Sequence, residues 1–132
     1  MQGLAPEVYK YLPDGHEITR ILDGDKRAQL ADAVLGQAWV REASADIVIA
    51  AVYERTIAKY GERGIRYVHL EAGHAAQNIC LQATALNLGL ITVVAFYDEQ
   101  VVAVLILPER EQPLYIIPIG RNRDSLMLIT VS

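Results

Sequence analysis

The chain has 132 residues, of which 52% are hydrophobic and 21% charged, and its net charge is −4. This apolar content can bury a core, so a wholly disordered chain is excluded. The acidic balance gives no electrostatic reason to expect nucleic acid or an anionic membrane as a partner. One cysteine, Cys80, forms no intramolecular disulfide and suits a reducing compartment, so we expect a cytoplasmic protein with a single domain over residues 1–132.

The first predicted elements are a hairpin and a helix. Residues 8–19 have the pattern of two strands, and the Pro-Asp-Gly sequence at 13–15 is typical of the turn between them. Leu30 and Val34 follow at helical spacing, and Asp25 is placed to cap the N-terminus of that helix. The chain is therefore expected to open with a small antiparallel pair that leads into a short helix.

A buried strand and a long helix form the middle of the chain. Residues 45–53 are almost continuously apolar, which is typical of a central strand covered on both faces. A charged segment and a loop bracketed by Gly61 and Gly64 separate this strand from a helix predicted over residues 65–88, with Gly89 as its C-terminal cap. One turn of this helix consists of small residues, which predicts that another helix crosses closely there: Ala72, Gly73, Ala75 and Ala76.

Two further strands and one helix complete the predicted fold. Residues 90–96 and 114–119 are apolar runs of strand length, and Asp98 is placed to cap a short helix between them. Residues 126–129 are apolar and need burial, which predicts that this tail contacts a second subunit. Together the elements predict an α+β fold with a central sheet, one long core helix and flanking helices.

The residues do not favour a metal site or a simple nucleophile. His69 and His74 are five positions apart on the long helix, which places them roughly 140° apart around its axis rather than on one face. Cys80 lies on the apolar face of that helix without a cationic neighbour, so a buried structural thiol is the favoured interpretation. We therefore predict no metal centre and no cysteine nucleophile.

Lys59 and Tyr60 are the clearest candidates for proton transfer. They lie in a polar connector between a buried strand and a buried helix, where sites are often built. An amine and a phenol that face one pocket can deliver and remove protons, whereas a solvated connector is the alternative, and the residues leave both open. Arg121 and Arg123 follow a buried strand, where they either hold a phosphate or form an ordinary basic surface pair.

Residues 59–78 read KYGERGIRYVHLEAGHAAQN. This segment resembles the nitroreductase-like flavoproteins, specifically the SagB-type dehydrogenases, in which a K-Y-x-x-R-x-x-R-Y segment leads into an E-A-G-H-x-x-Q-N helix. Residues 6–11, 33–37 and 113–121 are similar to the same family in the same order. The resemblance extends over about residues 4–121 and implies a nitroreductase-like α+β fold.

The resemblance implies FMN, bound without a covalent bond at the interface of a homodimer, and hydride transfer through the flavin to a small-molecule or peptide substrate. It implies that the helix following Arg66 is the central helix of the dimer. Lys59 and Tyr60 match a pair that is assigned to proton transfer in this family. The residues implied to lie along the flavin ring are Thr92, Val93, Val94 and Ala95, and those near its phosphate are Arg121 and Arg123.

The chain departs from the family pattern in two places. Family members have an Arg-rich S-x-R-x-S-x-R motif upstream of the similarity, and this chain begins too late to contain it, so we expect a domain shortened at its N-terminus. The segment after Gly89 is also shorter and has fewer glycines than is usual. Loss of a basic phosphate clamp removes charge-assisted hydrogen bonds of about 1.5–3 kcal/mol each, so FMN binding is expected to be weak or absent. The hypotheses are an FMN-dependent oxidoreductase or, alternatively, a non-catalytic assembly module or one subunit of a split flavoenzyme.

Overall fold

The computed structural model describes residues 3–121 and has a mixed α+β architecture, as predicted. The strands are Val8–Leu12 (β1), Glu17–Leu22 (β2), Ala45–Ala51 (β3), Leu88–Leu90 (β4) and Gln112–Arg121 (β5). The helices are Arg27–Ala33 (α1), Ala38–Glu42 (α2), Tyr53–Tyr60 (α3), Arg63–Ala85 (α4) and Asp98–Leu105 (α5). None of these helices is both long and apolar enough to cross a bilayer. Arg123 and the apolar tail segment 126–129 lie outside the described residues.

The predicted hairpin is confirmed as an antiparallel pair of β1 and β2, which forms a separate two-stranded sheet. Tyr11 pairs with Ile18 across the two strands, and the Tyr11 hydroxyl lies 2.9 Å from Nδ1 of His16 at the turn. An ion pair of 3.2 Å between Lys10 and Glu111 connects the hairpin to the loop before β5. The hairpin is thus held together locally and connected to the rest of the fold at its edge.

The central sheet has the order β3-β5-β4, with antiparallel pairing throughout. Ile116 and Ile117 are neighbours on the middle strand, and both are 0% exposed. Because successive side chains on a strand point to opposite faces, these two residues enter two different cores. Ile116 packs with residues of α1, α2 and α5, and Ile117 packs with residues of α4. The sheet therefore lies between two helical layers.

The strand predicted over residues 90–96 is wrong in its extent. The structure has only β4 there, followed by a single bridge from Val93 to Ile116 in the same register. In that register Ile91 faces Pro118, at a position where an antiparallel ladder makes a hydrogen-bonded pair. Proline has no N–H to donate, so the ladder is interrupted between Leu90 and Val93.

The segment before α4 is a helix and not the polar loop that was predicted. α3 contains no buried residue, and it ends at Gly61, whose φ of +66° favours glycine. Gly64 lies inside α4, not in a loop, and it is buried. The C-terminal cap predicted at Gly89 is also wrong, because Asn87 takes the left-handed conformation after the helix with φ +60° and Gly89 belongs to β4.

The small residues of α4 allow close packing on the sheet. Ala72 and Ala76 are buried, and Ala76 packs with Leu90 and Ile117. The sheet of the same chain, and not another helix, packs on Ala76, whereas Ala75 is exposed, so a crossing by the helix of a second copy stays a prediction. Larger apolar side chains on this face would hold the helix away from β5.

Alanine substitutions at two glycines of α4 test how closely α3 packs on it. Gly64→Ala places a Cβ 3.0 Å from backbone atoms of Thr56 and Ile57, which cannot move aside without shifting α3. We expect it to lower the free energy of unfolding by about 1–3 kcal/mol, which outweighs the gain in helix propensity. Gly73→Ala meets only the Tyr115 hydroxyl at 3.8 Å, and we expect about 0.5–1 kcal/mol of stabilisation. Urea unfolding followed by circular dichroism measures both, and equal effects would contradict the close contact.

Candidate functional site

A groove of about 900 Å³ opens where β3 ends and β5 begins, between α3 and α4. Ala51, Ala72 and Leu114 are among the small and apolar residues that line it, and Arg55 and Glu71 contribute charges of opposite sign. This volume lies at the upper end of the range of about 300–1,000 Å³ found for small-molecule sites. The groove is therefore large enough for an organic substrate and has polar groups that can orient it.

Lys59 and Tyr60 lie in the last turn of α3, and only Tyr60 lines the groove. The Lys59 ammonium lies 5.2 Å from the centre of the Tyr60 ring. Tyr60 also meets Tyr67 edge to face, with ring centres 5.1 Å apart, and the Tyr67 hydroxyl accepts a hydrogen bond of 3.1 Å from Nε of Arg63. The structure thus brings the predicted lysine and tyrosine together, with the phenol at the groove and the amine behind it.

Arg121 is the last residue of β5, and its side chain is exposed. Within residues 3–121 no ion pair engages its guanidinium. Gly120, which precedes it, pairs with Gly89 on the adjacent strand, and a side chain at Gly120 would lie on the opposite face of the sheet from Arg121, against Ser44. An exposed guanidinium at the end of a strand suits a phosphate, which it can bind through charge-assisted hydrogen bonds.

Four residues were predicted to lie along the flavin ring, and two of them are exposed while the other two are less exposed. Val94 and Ala95 are exposed, Thr92 is half-buried, and Val93 is 4% exposed. The Val93 amide already donates to the Ile116 carbonyl at 2.8 Å. Of the amides in this segment, those of Val94 and Ala95 are therefore better placed for an external ligand than that of Val93.

The two candidate regions lie at opposite ends of the sheet. Leu114 lines the groove, and Arg121 follows it by seven residues on the same strand. At about 3.3 Å per residue, the backbone positions of these two residues are about 23 Å apart. A small substrate in the groove therefore cannot contact Arg121 of the same chain.

Tyr53 and His69 form a pair that the sequence reasoning missed. The Tyr53 hydroxyl lies 2.7 Å from Nε2 of His69, and the two rings are perpendicular. Burial raises the pKa of Tyr53, and the carboxylate of Asp98 raises it further. The pair forms because α3 and α4 are antiparallel and joined by a short link, so it could have been found only by recognising α3 as a helix.

The other ionisable candidates form no cluster of their own. Within residues 3–121, no three His, Cys, Asp or Glu side chains lie close enough to hold a metal ion together. His74 lies 3.9 Å from Glu71 on the exposed surface of α4. Cys80 is half-buried, and burial raises the pKa of its thiol, which agrees with the structural role expected for it.

Comparison with known proteins gives consistent matches. The profile of the nitroreductase family matches residues 5–121. A candidate nitroreductase of Methanocaldococcus jannaschii is 48% identical over 120 residues, which cover 91% of this chain and 60% of that protein. The crystal structure of a candidate nitroreductase from Anabaena variabilis is 39% identical with a TM-score of 0.86, covering 92% of this chain and 25% of its own.

A more distant match agrees with the fold. The E. coli microcin synthetase McbBCD complex has a chain with a TM-score of 0.74 and 23% identity, covering 90% of this chain and 46% of that chain. At this identity the similarity shows the fold alone. In each of these comparisons the chain spans less than two thirds of the length of the relative.

Removal of the Tyr53 hydroxyl tests whether its bond to His69 anchors α3. We expect Tyr53→Phe to lower the free energy of unfolding by about 0.5–1 kcal/mol, because the hydrogen bond between the half-buried Tyr53 and the exposed His69 is lost while the ring contact stays. Tyr97→Phe is the matched control, since Tyr97 is exposed and its hydroxyl makes no hydrogen bond among the described residues. Urea unfolding measures both variants, and a Tyr53→Phe protein as stable as the control would contradict an anchoring role.

Proposed function

Because the chain belongs to the nitroreductase family, we propose that it acts as an FMN-dependent oxidoreductase of the SagB type, with the flavin held between two copies of the chain. The family match over residues 5–121 carries this proposal. We further propose that residues 1–132 belong to one nitroreductase-like domain and that the substrate is a small molecule or a peptide.

The outer face of α4 supports the proposed homodimer. Leu70 and Leu81 are 54% and 60% exposed on the side of the helix that faces away from the sheet. Together with His74 and Gln77 they follow a spacing of four, three and four residues, which is the spacing of a helix–helix seam. A second copy packed on this seam would remove both leucines from water.

The two-fold symmetry of a homodimer would bring the groove end of one chain's sheet close to the Arg121 end of the other chain's sheet. The N-terminus of α4 lies at the groove, and its C-terminus leads into β4, which pairs with Arg121. Two copies related by a two-fold axis with antiparallel α4 helices would place the groove of one chain toward the Arg121 end of the other. We propose that Tyr60 and Arg121 serve one site from different chains.

Bound FMN would supply hydride acceptance and donation, and the chain's own residues suit the remaining tasks. The exposed guanidinium of Arg121 suits the phosphate, and the free amides of Val94 and Ala95 suit polar atoms of a planar ring. The Tyr60 phenol lines the groove, where it can donate or accept a proton, and the Lys59 ammonium lies against the ring that carries this phenol. The apolar lining of the groove would limit water around the substrate.

Flavin titration tests the cofactor assignment. We expect the purified chain to quench FMN fluorescence on binding, and Arg121→Ser to raise the Kd about 10–150-fold, because a charge-assisted hydrogen bond of about 1.5–3 kcal/mol is lost. Arg110→Ser is the matched control, since Arg110 is exposed and lies beside the other end of the sheet. A chain that binds no FMN would contradict the oxidoreductase assignment and support a non-catalytic assembly module or one subunit of a split flavoenzyme.

Mixed dimers test whether one site draws on two chains. We expect Tyr60→Phe to lower kcat about 100- to 10,000-fold because a proton donor is lost, and Arg121→Ser to lose activity at low FMN. If the site is shared, a refolded equal mixture of the two variants regains about a quarter of wild-type activity, because half of the dimers contain one intact site of two. A verified mixed dimer without recovery would place both residues in one chain's site or in separate sites.

A further inference from the structure

Asp46 is a half-buried residue whose carboxyl oxygens are buried and lack a hydrogen-bond partner in the part of the chain that the structure describes. It lies near the start of β3 and faces Pro118 on β5. Cross-strand partners share a face, so its side chain points to the layer of α1 and α2, as Ile116 does two residues before the proline. Both carboxylate oxygens are buried, and neither has a hydrogen-bond partner among residues 3–121. Such an arrangement is costly for an ionised carboxylate and is rare in proteins.

Arg27 is the cation that acts on this carboxyl group, and its guanidinium already donates hydrogen bonds to other acceptors. Nε and Nη2 of Arg27 donate to Asp25 at 3.0 Å and 2.6 Å, and Nη1 donates to the Ala43 carbonyl at 2.7 Å. Asp25 also accepts the backbone amide of Arg27 at 3.0 Å, but the prediction that it is the N-cap of α1 is wrong, because Lys26 occupies that position. Arg27 thus joins the start of α1 to the residues that lead into β3.

Burial raises the pKa of the Asp46 carboxyl from 3.8 to about 7, although the Arg27 guanidinium lowers it and the Asp25 carboxylate raises it further. Arg27 and Asp25 are the charged groups that act on Asp46 among the described residues, and Pro118 opposite it carries no charge. At neutral pH, Asp46 is therefore close to its midpoint, with Arg27 held by the competing carboxylate.

We infer that Asp25 and Asp46 compete for the guanidinium of Arg27, so that loss of the Asp46 proton to solvent moves Arg27 from the start of α1 toward β3. The guanidinium of Arg27 already reaches the carbonyl of Ala43, three residues before Asp46, and its charge acts on the Asp46 carboxyl. When Asp46 is protonated, the guanidinium of Arg27 stays hydrogen-bonded to Asp25 just before α1. In the ionised state, the buried oxygens of Asp46 gain the donor that they otherwise lack.

The sign of the pH effect follows from the direction of the shift. Because the pKa of Asp46 is higher in the folded chain than in the unfolded chain, its contribution to stability is complete below pH about 4 and is lost as the pH rises through about 7. We expect the urea midpoint of the wild type to fall over this range. Asp46→Asn removes the titrating group, so the fall attributable to Asp46 should disappear.

Carbon-13 NMR of the carboxyl groups, together with nitrogen-15 NMR of the arginine Nε atoms, follows both partners in the full chain. We expect Asp46 to titrate with a midpoint near pH 7 and the Nε resonance of Arg27 to change with the same midpoint. In Asp46→Asn the Arg27 resonance should stay constant over that range. In Asp25→Asn the Asp46 midpoint should move to lower pH, because the competitor for Arg27 is gone.

Asp32→Asn is the matched control, because Asp32 forms an exposed ion pair of 2.9 Å with Arg41 in the same helical layer. It should leave the Asp46 midpoint unchanged. The competition would be refuted by an Asp46 midpoint near pH 4, by an Arg27 resonance that ignores the titration of Asp46, or by an Asp25→Asn protein with an unshifted Asp46 midpoint.

Discussion

The structure depends on β5, whose residues Ile116 and Ile117 are adjacent in sequence, fully buried and directed into different cores. A strand can bury both faces only if helices cover both, which requires α4 on one side and α1 with α5 on the other. The strand also tolerates Pro118, because the missing donor faces the gap between β4 and the bridge at Val93. Since β5 spans the whole sheet, its two ends determine where the groove and Arg121 can lie.

The wall of the groove is held in a different way from the core. α3 has no buried residue, so it is attached to α4 through specific contacts. These are the close approach at Gly64, the edge-to-face pair of Tyr60 with Tyr67, and the bond between Tyr53 and His69. Elements with few buried contacts open at the lowest free-energy cost, so α3 is the part of the candidate site most able to move. The aromatic pair also couples the position of Tyr60 to α4.

Strong periodic patterns made part of this fold predictable. The hairpin, β3, β5 and most of α4 follow from alternation, apolar runs and helical spacing. α3 was missed because three of its eight residues are charged and none is fully buried. The break after β4 was missed because it depends on which residue faces Pro118. Lys59 and Tyr60 were candidates from their place in a polar connector, with a solvated connector as the alternative, and the family resemblance then favoured a role in proton transfer, which stays a prediction. The pair of Tyr53 with His69 had no local signal, because only the antiparallel packing of two helices brings it together.

Asp46, near the start of β3, lies at the same end of the sheet as Arg121, so its negative charge bears on any anion that binds to Arg121. Asp46 faces Pro118, and Arg121 is three positions further along β5. An odd number of steps along a strand reverses the face, so Arg121 starts from the α4 side, whereas Asp46 points to the α1 side. The sheet therefore separates the titrating carboxyl from the guanidinium that is available to a phosphate. In addition, the positive charge of Arg27 offsets the negative charge of Asp25, with which it forms an ion pair. The charge of Asp46 can therefore change with pH on one face while an anion contacts Arg121 on the other, so the two groups do not compete directly for the same ligand.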